Sequence, residues 1–303
     1  MKLCVLLLLL LSACVSAIIA LPVVGERSDA AGQFSLLAYN IYMRPQAFFR
    51  DGQQARMRYL PERLKGYDVL VLSEVFDVKM REALLIGLLP EYPYVTEPLG
   101  ADLIITQHGG VLIASRWPIE EEQHLLFGKL CSGSDCAAQK GAIYARVNKN
   151  GRRYNIFGSH LQAWPEPVAA QVRKGQLELL KQFVDDRKLP PSEVVLIAGD
   201  LNVDMINFPG EYARMLSILN ATFSEPAAKE LRYTFDPTQN PLAEGDTQEF
   251  LDYVLFSDQH VAPTRVETSI VRALSDTPWT RLSGKDCFDL SDHFAMSAEF
   301  WFD

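Results

Sequence analysis

The run Val194-Val195-Leu196-Ile197-Ala198-Gly199-Asp200-Leu201-Asn202 constrains this chain more than any other stretch. Five apolar or small residues lead into Gly-Asp-Leu-Asn, a pattern that predicts a buried strand ending at a polar site. On an extended backbone residues two apart face the same way, so Asp200 and Asn202 are expected side by side. A carboxylate and an amide delivered from the end of a rigid core strand suit a hard metal ion, a phosphate, or both.

Other runs repeat this design. Residues 34–40 read as a core strand ending at Asn40, and residues 67–74 as a second ending at Glu74. Asn150-Gly151, between 142–147 and 154–160, marks a hairpin whose second arm ends at His160. Further strands are expected over 92–96, 110–115, 119–127, 250–256 with Asp252 inside it, and 293–300 after Ser291-Asp292. Helices are expected over 54–64, interrupted at Pro61, and over 78–88, 168–183 and 211–219. Residue 33 is followed by no low-complexity linker and no fixed-period repeat. The pattern therefore predicts one α/β domain over residues 34–303, with two packed sheets flanked by helices. A chain of 303 residues, 48% of them hydrophobic, can fill such a core.

Lys2 precedes an uncharged run over residues 3–24. It fits a secretory signal over residues 1–20, with the cleavage boundary between 17 and 24. Two other readings stay open. Leu11-Ser12-Ala13-Cys14 resembles a lipobox, which would anchor the protein through a lipid on Cys14, and an uncleaved run would act as a membrane anchor. Pro22 and the small residues after Leu11 favour cleavage. Each reading places the mature domain outside the cytoplasm, with soluble secretion as the first expectation. In an oxidising compartment Cys131 and Cys136, which flank a turn-like tetrapeptide, suit a local disulfide and leave Cys287 as a free thiol. The net charge of -9 disfavours a dedicated nucleic-acid binder.

Five expected strand ends present polar groups: Asn40, Glu74, His160, Asp200 with Asn202, and Asp292 with His293. Taken singly, each could be a cap or a structural histidine. Asp252 is harder to explain that way, because an unpaired carboxylate in an apolar strand is costly and calls for a histidine or a metal. Glu74 and Asn40, with Asp200 or Asp292, offer oxygen ligands and no thiolate. That favours magnesium, calcium or manganese over structural zinc. Two histidines suit the two proton transfers of in-line phosphodiester hydrolysis, and Asp252 or Asp292 would orient one imidazole.

The ordered set Asn40; Ser73-Glu74-Val75-Phe76-Asp77; Gly158-Ser159-His160-Leu161-Gln162; Gly199-Asp200-Leu201-Asn202; Leu251-Asp252-Tyr253; Ser291-Asp292-His293 resembles the endonuclease/exonuclease/phosphatase superfamily. Its members share the deoxyribonuclease I-like fold, a four-layered α/β sandwich of two mixed sheets flanked by helices. Val75-Phe76-Asp77, Gly109-Gly110-Val111, Cys131…Cys136 before Lys140-Gly141, and His160-Leu161-Gln162 resemble its secreted bacterial neutral sphingomyelinase C branch.

The resemblance implies a metal-dependent phosphodiesterase that hydrolyses sphingomyelin to ceramide and phosphocholine. It implies magnesium held by Glu74 with Asn40 and Asp292, with manganese or cobalt able to substitute and calcium unproductive. Whether one or two metals bind stays open. His293 would be the general base, oriented by Asp252. His160 would serve the leaving group, and Asp200 and Asn202 would position water, metal and phosphate. A haemolytic monomer touching sphingomyelin-containing membranes peripherally is implied, with no nucleic-acid partner. Membrane contact would come from Trp279 on a protruding hairpin, with Trp164 as a second candidate. The alternatives are a phosphodiesterase of the same superfamily acting on another phospholipid or on nucleic acid, and a membrane-lytic toxin without catalysis.

Overall fold

Strands that are apolar at every position must be covered on both faces, and the core of this chain is built that way. The computed structural model describes residues 29–101, 107–227, 231–281 and 284–303. The leader, with its cleavage boundary and Cys14, lies outside the described residues. The first half of the chain forms β1 (Gln33–Asn40), α1 (Gln53–Met57), α2 (Leu60–Arg63), β2 (Val69–Ser73), α3 (Val78–Leu88), β3 (Tyr94–Val95), β4 (Leu112–Ser115), β5 (Ile119–Leu126), β6 (Gly141–Lys149) and β7 (Arg152–His160). The second half forms α4 (Pro167–Asp186), β8 (Val194–Asp200), α5 (Pro209–Leu219), β9 (Ala221–Phe223), β10 (Asp252–Ser257), β11 (Arg265–Val271), β12 (Leu274–Thr280), β13 (Asp286–Asp289) and β14 (Ala295–Trp301).

One six-stranded sheet runs β11-β14-β1-β2-β4-β3 and the other β5-β6-β7-β8-β10-β9, with β12 and β13 forming a separate ribbon. Alternation along the strands assigns the two faces. Phe34, Leu36, Ala38, Val69 and Val71 point between the sheets, towards Ile156, Leu196 and Val254. Leu37, Tyr39, Leu70 and Leu72 point outward to Met57, Leu60, Leu84 and Leu88 of α1–α3. On the far side Leu177, Leu180 and Phe183 of α4 and Met215 and Leu219 of α5 cover the second sheet. The layers are therefore helix, sheet, sheet, helix, as expected. Each buried side chain of this size contributes about 1.5–3 kcal/mol.

The topology gathers one end of both sheets. The pairs β1/β2 and β7/β8 are parallel, whereas β10 and β14 run antiparallel to β8 and β1. Asn40, Glu74, His160 and Asp200 thus leave their strands where Asp252 and His293 enter theirs, and β1 packs across both β8 and β10. Gly199 permits the close approach of β7 to β8. Its φ is 136°, and a Cβ there would lie 2.0 Å from the Ser159 carbonyl oxygen.

Several local expectations change. The helix over 54–64 is two short helices that break at Arg58-Tyr59. Pro61 does not interrupt either, since it sits in the first turn of α2, where no N–H is needed. The strand over 92–96 shrinks to two residues. The one over 110–115 starts at Leu112, because Gly110 turns the chain at φ 72°. The strand carrying Asp252 begins at that residue rather than containing it, and the last strand begins at Ala295. β9 and β11 have no clear apolar period and were not expected, and β12 and β13 were implied only by the resemblance, as the hairpin carrying Trp279. Cys131 and Cys136 are joined, Cα to Cα 5.2 Å, and Cys287 is free and buried. No helix among the described residues is long and apolar enough to cross a membrane.

Trp279 is a correction. It lies on β12, but only 5% of it is exposed. Its indole N–H donates to the Asp289 carbonyl at 3.1 Å, and its ring packs with Leu242 and Cys287. A Cβ on Gly52 would come within 2.2 Å of that ring. The ribbon needs an apolar plug where it folds back on α1, and Trp279 is that plug rather than an exposed interfacial residue.

Candidate active site

The gathered strand ends form a cleft of about 1290 Å³. Asp200, the last residue of β8, stands directly opposite both His160 on β7 and Asp252 on β10. From the other sheet Asn40 pairs with Ser73, so Glu74 follows one step beyond. Glu74 takes a left-handed backbone, φ 57°, while its N-terminal neighbour Ser73 is fully buried. Such a conformation costs about 1–3 kcal/mol in a residue other than glycine. It is held by Met43 N–H donating to the Glu74 carbonyl at 3.0 Å and by Val75 N–H donating to Gly110 at 2.9 Å.

The imidazole of His293 is fixed by Asp252, whose Oδ2 lies 2.8 Å from Nδ1. This leaves Nε2 facing the cleft, 3.8 Å from Asp200 Oδ2. Asp252 Oδ1 is buried without a partner. Burial opposes the positive charge on His293, but Asp252, Asp200 and Asp292 together hold its pKa well above the usual imidazole range. His160 behaves oppositely: burial, then the charges of Lys140 and His293, push it well below that range. The two histidines therefore differ in basicity: three carboxylates outweigh burial at His293, whereas at His160 burial and Lys140 dominate although Asp200 Oδ2 lies 3.6 Å from its Nε2.

The carboxylates pay for this arrangement. Burial and Asp252 raise Asp200 to about 6, against the pull of His293 and the Asn40 amide. Burial raises Asp292 to about 7, with Glu74 adding to the effect and His293 opposing it. Burial also raises Glu74, with Asn40 and His293 opposing. Among the described residues no lysine or arginine forms an ion pair with Glu74 or Asp292. Two carboxylates raised by burial, with Glu74 raising Asp292 further and no lysine or arginine among the described residues pairing with either directly, fit a hard divalent cation. Asp200, Asp252 and His293 also offer ligand atoms within 4.8 Å of one another. His293 Nδ1 is already taken by Asp252 Oδ2 there, which leaves only Asp252 Oδ1 without a partner, so the Glu74 and Asp292 side is the better cradle.

Two expected residues sit differently from their expected roles. Asn40 turns its oxygen to the Tyr42 N–H at 3.0 Å. Its amide nitrogen donates to Asp200 Oδ2 at 2.9 Å and Glu74 Oε1 at 3.2 Å. In this arrangement it bridges the two carboxylates rather than offering an oxygen ligand. Asn202 does not lie beside Asp200 on an extended strand. The chain turns after Asp200, Asn202 has φ 51°, and its side chain donates to the Leu161 carbonyl at 3.1 Å.

Three further residues were missed. Lys140, nearly buried, lies 3.2 Å from His160 Nε2, donates to Leu161 O at 2.5 Å and pairs with Asp135 at 2.6 Å. The disulfide loop holds Asp135 in place, and Asp135 also accepts from Ala163 N–H at 2.8 Å. Fully buried Arg56 ties together the carbonyls of Ile41, Tyr42 and Leu290 beneath the site. The Lys-Gly pair after the second cysteine was the only sequence signal for Lys140, and Arg56 had none. Exposed apolar residues stand at the cleft among charged ones such as Lys79 and Glu244: Phe48 is 82% and Trp164 58% exposed, with Phe208 and Val78 also lining it.

The sequence profile described as Endonuclease/Exonuclease/phosphatase family matches residues 37–293. The chain is 33% identical over 286 residues to a sphingomyelinase C of Leptospira interrogans, across 86% of this chain and 50% of that protein. It thus spans about half the length of that relative. It is 31% identical over 303 residues to a sphingomyelinase C of Bacillus cereus, across 89% of this chain and 90% of that protein. It is also similar to the crystal structure of a mutant beta toxin from Staphylococcus aureus with bound magnesium ions. The TM-score is 0.81 at 27% identity, covering 89% of this chain and 100% of the other. The two sheets and their helices have the deoxyribonuclease I-like fold.

Proposed function

This chain belongs to the endonuclease/exonuclease/phosphatase family and to its bacterial sphingomyelinase C group, and we propose that it hydrolyses sphingomyelin to ceramide and phosphocholine in the cleft between the sheet ends. The observation that carries this reading is the Asp252–His293 pair at 2.8 Å, facing His160 and Asp200 across a cleft that exposed apolar residues also line. The names of its relatives support the substrate.

Asp252 accepts from His293 Nδ1–H and stabilises the imidazolium, so in the form of the protein whose Nε2 is unprotonated this is the atom that takes the proton of the attacking water. Asp200 orients that water, and Asn40 keeps Asp200 and Glu74 aligned. On the opposite side His160 is neutral: its Nε2 accepts from Lys140 Nζ at 3.2 Å, so its own proton is on Nδ1, which is buried without a partner, and the proton available to the leaving group is the one on Lys140 Nζ. The His160–Lys140 pair delivers this proton to the leaving oxygen of ceramide. Asn202 and the Leu161 carbonyl fix the floor beneath it. Glu74 and Asp292 would hold a magnesium ion, which when bound offsets the negative charge on the non-bridging phosphate oxygens.

The lipid surface meets the mouth of the cleft. Trp164, with an apolar ring and a polar N–H, suits a bilayer interface, and Phe48 and Phe208 add exposed apolar surface to the same cleft. Export after loss of the leader at 1–20 and a catalytic domain over 34–303 complete the reading. Vesicles of sphingomyelin, phosphatidylcholine or lysophosphatidylcholine, incubated with magnesium or chelator and analysed by mass, test it. Ceramide and phosphocholine released only with the metal support it. No release with any divalent metal overturns it, and nicking of plasmid DNA in its place points to a nucleic-acid substrate.

A further inference from the structure

Four carboxylates that line the cleft have no part in the chemistry above; Asp77 and Asp204 already accept hydrogen bonds and Glu244 is exposed, which leaves Glu249. Glu249 lines it, half-buried. Among the described residues none hydrogen-bonds or ion-pairs with its side chain. The cations acting on it from nearby are engaged elsewhere. Arg173 is paired with Glu211 at 2.7 Å, and His293 with Asp252. Burial, followed by the charges of Asp204 and Asp200, raises Glu249 to about 7 against the pull of His293 and Arg173. A carboxylate left in this state gains from any cation that enters the cleft.

The backbone ties Glu249 to an aromatic ring. Glu249 N–H donates to Phe235 O at 2.9 Å, and Phe235 N–H donates back to Glu249 O at 3.0 Å. Phe235 is also bridged to His293, with ring centroids 5.2 Å apart. The ring and the carboxylate therefore share the wall that holds the general base. The other aromatic pair in the cleft already has a cation: Arg44 lies 4.4 Å from the centre of Tyr42 and 4.1 Å from that of Phe49. Arg44 is itself paired with both oxygens of Asp51 at 2.9 Å, so those two rings are already covered by a neutralised cation, whereas Phe235 stands beside an unpaired carboxylate.

We propose that Glu249 and Phe235 form the subsite for the quaternary ammonium of the substrate headgroup. The proposal rests on the phosphocholine-lipid reading above. A trimethylammonium group has no N–H to donate, so hydrogen-bond acceptors cannot fix it. It is held instead by the face of a ring and by a carboxylate at van der Waals distance. Phe235 and Glu249 offer this combination beside His293, whereas the rings of Tyr42 and Phe49 are already taken by Arg44.

The test uses two soluble diesters, p-nitrophenyl phosphorylcholine and methyl p-nitrophenyl phosphate, which lacks the ammonium. The quantity is the ratio of their kcat/KM values, which does not depend on how much of a variant folds. Both Glu249→Gln and Phe235→Leu are expected to lower the ratio of choline to methyl ester about tenfold. Glu249→Asp should restore part of it. A wild-type ratio near one, or an unchanged ratio in Glu249→Gln, overturns the subsite. If such a protein still cleaves sphingomyelin, the function stands and only the subsite falls. A protein that cleaves neither sphingomyelin nor either ester overturns both.

Discussion

At the scale of single residues, Asp252 shows how a buried carboxylate sets the chemistry of its neighbour. It is fully buried, its only described side-chain partner is His293, and its second oxygen has none. Replacing it with asparagine keeps the shape but removes the charge that favours the imidazolium. We expect Asp252→Asn to lower kcat by about 10–100-fold. His293→Ala, which removes the base itself, should lower it by roughly 10³-fold. Steady-state rates on a soluble diester measure both. Equal effects would mean that Asp252 does more than orient the ring, and no effect would remove His293 from the chemistry. Asp252 was legible in the sequence because burial of an unpaired charge demands an explanation. Lys140 was not, since nothing local in a lysine before a glycine says that its ammonium is buried beside a histidine 20 residues away. Asn40 and Asn202 were found but their orientation was not, because an asparagine presents either an oxygen or an N–H according to neighbours distant in sequence.

At the scale of elements, the central strands were readable because β1, β2 and β8 are covered on both faces and so are apolar throughout. The ribbon β12–β13 was implied by the resemblance alone and its packing was not readable, since its burial is irregular and its partner surface lies on α1 and around Leu242. Trp279 belongs to that ribbon, and its role follows from what the ribbon packs against. Trp279→Ala should destabilise the protein by about 3–5 kcal/mol in chemical denaturation. It should leave the ratio of bilayer to soluble-substrate activity unchanged. Trp164→Ala should do the reverse, with stability within about 0.5 kcal/mol and activity on sphingomyelin vesicles lowered about fivefold, corresponding to roughly 1 kcal/mol of lost interfacial contact. A stable Trp279→Ala protein impaired only on bilayers would contradict this division.

At the scale of the whole molecule, the fold draws two sheets together at a point crowded with negative charge. Asp200, raised to about 6, and Asp292 and Glu249, each raised to about 7, are more easily protonated when folded than when unfolded. The stability they contribute is therefore complete below the ordinary carboxylate range and is lost as pH rises through 6 to 7. His160, whose pKa is lowered, works the other way, but Glu74 and His293, both raised, act with the three carboxylates, so it is one group against five. Chelated protein should melt at a lower temperature at pH about 8 than at pH about 5.5, by about 3 °C or more. Magnesium should raise the melting temperature more at the higher pH, because it meets carboxylates that are already charged. A melting temperature that climbs with pH in chelator would contradict this picture of the cleft. The most direct test of the central claim is hydrolysis of sphingomyelin vesicles in heavy-oxygen water with magnesium, using wild-type protein and His293→Ala. We expect the wild type to release phosphocholine carrying one heavy oxygen and ceramide carrying none, with His293→Ala nearly inactive. Label in ceramide, or equal release by His293→Ala, would contradict attack on phosphorus by a water that His293 activates.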